Sequence, residues 1–161
     1  MAVRPAGALG YFPRLVTGLQ FPTPPTTQST LPLDLEFARP ARFKLRASGE
    51  VTLGEVERAI EAMVAHPELT HGTDVLIDAS EVEGVPSTPE LRSAARALVP
   101  LLDKGLVAVC VVSHNPFIYG VARMFSVFAE AVGVQVGAFR EFDGAHRWLT
   151  DRRGAVSAPQ T

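Results

Sequence analysis

The residues that could do chemistry by type and position are Asp78, Ser80, Ser87, Thr88, Ser113, His114 and Asn115. Each falls just beyond an apolar run that reads as a strand, where parallel sheets present their ligand-binding loops. The sharpest chemistry they allow is acyl transfer, with Ser113 as nucleophile, His114 as base and Asp78 as orienter. Adjacent Ser and His residues rarely turn their side chains towards each other, and no Gly-x-Ser-x-Gly elbow surrounds Ser113. These positions therefore read as helix caps and solvated loop residues, and the chain is expected to be non-enzymatic.

Other chemistry finds less support. His66, His71, His114 and His146 lie on separate segments without ligand spacing, so neither a metal nor a cofactor is expected. Cys110 is the single cysteine and sits among valines, which excludes a disulfide framework or zinc cluster. It reads as a small buried hydrophobe in a reducing, cytoplasmic setting. A net charge of −2 provides no footprint for nucleic acid or anionic membrane. No apolar run approaches the roughly 20 residues that span a bilayer. At 161 residues, 47% hydrophobic and 20% charged, the chain holds one domain with a sizeable core.

The elements that must position these residues centre on 105–133. Leu106 to Val112 is apolar on both faces, as the central strands of parallel sheets are. Asn115 and Pro116 then supply a cap and a first helical residue. In the helix that follows, Phe117, Val121, Phe125, Phe128 and Val132 converge on one face, with Ile118 beside them. Tyr119, Arg123, Ser126 and Glu130 form a narrow polar stripe opposite, where Arg123 reads as a partner of Glu130 or of an external anion. Gly120, Met124, Val127 and Ala131 extend the apolar arc on the far flank. That strip is expected to meet something other than the sheet: a neighbouring helix, a second copy or an apolar ligand. Gly133 ends the helix in a left-handed conformation.

In chain order, seven of the thirteen prolines fall within the first forty residues, and 1–30 reads as a disordered tail. Leu31–Phe37 and Phe43–Ala47 alternate as a hairpin. Thr52 and Glu55 form a capping box for a helix over 53–65. Asp74–Asp78 is a strand entering a polar loop over 79–88. The next helix opens at Ser87 or Thr88 and kinks or stops at Pro100. A last strand over 134–139 and a short helix capped by Asp143 precede a flexible tail over 151–161. Strand and helix alternate from Phe43 onward. This predicts an α/β domain over 31–150 with a five-stranded, mixed, mainly parallel sheet under helical cover.

The segments RASGEVTLGEVERAI, VLIDAS, AVCVVS, YGVARMFSVFAE and VGAFREFDGAHRWL together resemble the small bacterial SpoIIAA-like group of the STAS superfamily, over roughly residues 31–150. Its fold is also similar to CRAL-TRIO lipid-binding domains. The resemblance implies a non-enzymatic regulatory module that binds another protein or a second copy of itself. It also implies a possible phospho-switch at the start of the helix after the Asp78-Ala79-Ser80 strand end, where Ser87 and Thr88 fall. The family reads Asp-Ser-Ser-Gly there, and this chain reads Pro86-Ser87-Thr88-Pro89. The alternative role is a carrier or sensor of an apolar small molecule or lipid. Partner or ligand surface would come from Asp78, Ser80, His114, Tyr119, Gly120, Arg123, Met124 and Val127.

Overall fold

A computed structural model describes residues 33–157. The expected N-terminal tail, 1–30, lies outside them. The elements run β1 (Leu33–Ala38), β2 (Arg42–Glu50), α1 (Leu53–Ala65), β3 (Thr73–Gly84), α2 (Thr88–Ala97), α3 (Val99–Asp103), β4 (Leu106–Val112), α4 (Pro116–Glu130), β5 (Val136–Phe139) and α5 (Phe142–Ser157). The strands pair in the order β1-β2-β3-β4-β5, with β1 antiparallel to β2 and every other pair parallel. This is the α/β architecture with a mixed, mainly parallel five-stranded sheet that the strand and helix alternation predicts.

Because each parallel strand is added beside the last, right-handed crossovers put their connecting helices on one face. That face holds the main core, where Phe43, Val75 and Val109 meet Ile60, Met63, Leu98 and Leu101. Only α5 turns back over the other face, where Ala145 and Leu149 cover Leu76, Ala108, Cys110 and Val112. Burying each large side chain stabilises the fold by about 1.5–3 kcal/mol. Both layers are needed, because β4 is apolar on both sides and β3 buries Leu76 and Asp74 on the second.

Local signals place the helix ends. Glu55 accepts from the Thr52 N–H and hydroxyl at 2.8 Å each, which closes the predicted capping box. Pro100 falls in the first turn of α3, so the helix breaks at Leu98 as an interior proline requires. Gly133 has φ +87°, the left-handed terminus expected after α4. Gly105 turns into β4 at φ +107°, where a Cβ would lie 2.5 Å from the His71 backbone.

Three expectations are corrected. The polar loop over 79–88 is largely strand: β3 continues to Gly84, with Ser48, Gly49 and Glu50 paired to it across register shifts and Val82 buried. The flexible tail from 151 is instead the end of α5, which runs through Ser157 because Arg153 is tied to Asp74 and to the Ala41 carbonyl (3.1 Å). The face of α4 is rotated: Ile118, Ala122 and Ala129 are its buried residues, and Phe117 is 63% exposed.

Burial pushes the Cys110 thiol up to about 12. The unfolded thiol ionises near pH 9 and the folded one does not, so the unfolded chain binds fewer protons above that pH and stability falls from about 9 towards 12. Cys110→Ala should flatten this alkaline decline relative to wild type in urea unfolding at stepped pH. An equal decline in both proteins would mean the thiol is not the cause.

Candidate functional site

The C-terminal edge of the parallel strands has no topological switch point. Ligand crevices open where strand order reverses and neighbouring crossover helices part to opposite faces. Here the order never reverses. The polar residues at that edge are accordingly separate. Asp78 accepts from the Ser80 N–H at 3.0 Å, 4.0 Å from exposed Arg46. Ser113 is buried, and its hydroxyl accepts from the Asn115 N–H at 3.3 Å. Asn115 caps α4 through the Phe117 N–H at 2.9 Å. The His114 ring is exposed, with its Nδ1 3.8 Å from Glu141. Among the described residues Ser113 shares no hydrogen bond with His114, and Asp78 bonds to neither. No group of His, Cys, Asp or Glu among them is arranged to hold a metal ion.

At the start of α2, the Ser87 hydroxyl donates to Glu90 at 2.6 Å, and the Ser87 N–H donates to the same oxygen at 2.8 Å. These bonds hold the Glu90 carboxyl below its usual range, the hydroxyl contributing most. A phosphate on Ser87 would displace this pair and face an ionised carboxylate. Thr88 is exposed in the first turn.

On α4, Gly120, Arg123, Val127 and Ala131 face solvent, with Met124 and Tyr119 partly covered. The Arg140 guanidinium stacks 5.0 Å from the Tyr119 ring centroid. Arg123 forms no ion pair with Glu130 among the described residues. The outer strip therefore stands where the arc predicts, without a covering helix from the described residues.

Sequence reasoning missed a buried ionic cluster on the α5 face. Asp74 is 1% exposed and accepts from Arg42 Nε at 2.6 Å and from Arg42 Nη2 at 3.0 Å. Arg153 donates to the same carboxylate, and Arg42 Nη1 lies 2.8 Å from His146 Nδ1. The hydrogen bonds to Asp74 raise the Arg42 pKa further, against its burial. Arg42 and Asp74 are register partners on β2 and β3, which the strand pattern could have aligned. Nothing local pointed to Arg153.

Reasoning from sequence also missed an apolar cavity of about 140 Å³ beneath the helices, partly open to the surface. Its floor is the β2–β4 surface, including Ala47, Ile77, Ala79 and Val111, and its roof includes Ala94 and Leu98. The cause is packing: α1 leans on β1 and α4 on β5, whereas α2 rests chiefly on α1 and α4. Over this space α2 presents Ala94, and Ala47 and Ala79 lie below it. These side chains are too short to close the gap. Ile77 lies mid-sheet under the helices and still keeps accessible surface. Every lining side chain is apolar, and no polar atom faces the space.

No protein-family model and no curated protein matches the chain. Among solved structures it is similar to an uncharacterized protein of the DUF3478 family from Shewanella loihica PV-4, at 21% identity and a TM-score of 0.46, over 73% of this chain and 91% of that one. That structure is described as having a SpoIIAA-like fold. Among the described residues no helix is long and apolar enough to cross a membrane.

Proposed function

We propose that this domain is a non-enzymatic binding module that holds an apolar small molecule between its sheet and helices α1, α2 and α4. The observation that carries this reading is the cavity: about 140 Å³, lined wholly by apolar side chains, between the sheet and the helices. Interiors are normally packed without such voids, and an unfilled one forfeits contacts on every wall. A dry apolar space of this size suits an apolar guest. The separated Ser113, His114 and Asp78 favour binding over catalysis. Native mass spectrometry of freshly purified full-length protein tests the reading. A bound small molecule should be present in wild type and absent from Ala94→Leu, whose larger side chain occupies the space. A guest retained equally by both proteins would place binding elsewhere and refute this site.

A second reading, a protein-interaction module, is favoured by the outer strip of α4, where Phe117 and Val127 are 63% and 62% exposed. Large apolar side chains left out beside Gly120 and Ala131 form a surface that a protein partner or second copy would cover. Val127→Glu separates the two readings. A protein complex seen on a sizing column should dissociate, and ligand content should stay unchanged.

A further inference from the structure

Resting on the apolar-ligand reading, we infer that the cavity selects a compact neutral hydrocarbon, a single aromatic ring or a short branched alkyl group, over a long-chain acid. The first argument is size. A space of about 140 Å³ compares with engineered apolar cavities of roughly 150 Å³ that stay dry and take up benzene. A chain of a dozen or more methylenes exceeds that volume. The excess would lie outside, in contact with water.

The second argument is the missing polar partner. A carboxyl or hydroxyl group inside would lose its hydration and gain no hydrogen bond, because no polar atom faces the space. Selection therefore runs against any ligand whose polar group must enter. It leaves shape and apolar area as the basis of recognition.

The third argument concerns the end of the cavity where an acid could keep its head group outside. The first turns of α1 and α2 close that end, through Val51 and Val56 on one side and Pro86 and Leu91 on the other. Helix N-termini usually welcome anions, because their free N–H groups and dipole point at the ligand. Here each start already carries one of the protein's own carboxylates, Glu55 in α1 and Glu90 in α2. Glu55 takes the Thr52 N–H and hydroxyl, and Glu90 takes those of Ser87. The Thr52 backbone bond is the main cause that keeps Glu55 below the usual carboxylate range, as the Ser87 hydroxyl does for Glu90. An incoming carboxylate would meet two ionised acids. The third helix start at that end, α4, is capped by Asn115, and its Pro116 has no N–H to offer.

The test compares toluene with hexadecanoate on the full chain after solvent stripping, by thermal shift and by titration calorimetry. Toluene should raise the melting temperature, and hexadecanoate should leave it unchanged. Ala94→Leu should weaken toluene binding at least about tenfold. Should that variant fold poorly, Ala79→Val adds two methyl groups to the floor and serves the same purpose. A hexadecanoate shift that disappears in the filled variants, with none from toluene, would overturn the selectivity and keep the apolar-ligand reading. A toluene shift that survives both fillings would overturn the site. No shift from either ligand would overturn the selectivity and the reading together.

Discussion

Asp74→Ala should lower the stability of the fold by about 3–5 kcal/mol, read from urea unfolding against wild type. The carboxylate is almost wholly buried and accepts two bonds from Arg42 and one from Arg153. Removing it strands the Arg42 guanidinium, whose side chain is 14% exposed, beside His146 without a counter-charge. Arg153 is better placed to reach water, at 26% exposure, so Arg42 should account for most of the loss. A change below about 0.5 kcal/mol would mean the guanidinium rehydrates freely and the cluster is not sealed. The pair itself need not be the best solution for this site. Desolvation offsets much of its attraction, and Arg153 Nε is buried without an acceptor. Arg42→Met combined with Asp74→Leu should therefore recover most of what Asp74→Ala loses, a coupling that a double-mutant cycle measures. The pH dependence has a defined sign. The folded Arg42 pKa is raised, so its stabilisation is complete at neutral pH and is lost only as pH rises through a value above the ordinary arginine range.

The mixed, mainly parallel five-stranded sheet and most helix positions were legible because they rest on local patterns: capping boxes, proline breaks and apolar runs of strand length. What was not legible depends on residues far apart in sequence. Arg153 and Asp74 are 79 residues apart, and the helix that joins them looks like a solvated tail from its own composition. The extension of β3 to Gly84 is masked by Ser80, Glu81 and Glu83, which are exposed on a strand that still pairs with β2. The cavity has no local sign at all, since it is made by what Ala47, Ala79 and Ala94 fail to fill. Of the candidate loop residues, Ser113, His114 and Asn115 do follow a strand end, whereas Asp78 and Ser80 lie within β3. That they do not line a switch point follows from strand order, which alternation alone does not fix.

Phe43→Ala should cost about 3–5 kcal/mol, whereas Phe117→Ala should change stability by no more than about 0.5 kcal/mol. Hydrophobic patterning marked both phenylalanines as buried. Phe43 is fully covered near the start of β2, its ring 5.1 Å from the rings of both Phe37 and His66 in edge-to-face contact. Truncating it opens a space that strands on both sides keep from collapsing. Phe117 opens α4 with its ring in solvent, because the helix lies on the sheet through smaller residues. Ala122 and Ala129 bring the α4 backbone close, and Ile118 fills the space at its start. A reading weighted by bulk rotates the face towards Val121 and Phe125, whereas close approach is governed by the smallest side chains. Phe128 is thereby turned towards α2, where the Arg92 guanidinium lies 4.9 Å from its ring centroid. Equal losses from Phe43→Ala and Phe117→Ala in matched urea titrations would restore the bulk-weighted face and overturn the alanine-seated helix. A large difference would leave Phe117 available at the surface, beside Gly120 and Val127, for whatever that strip of α4 meets.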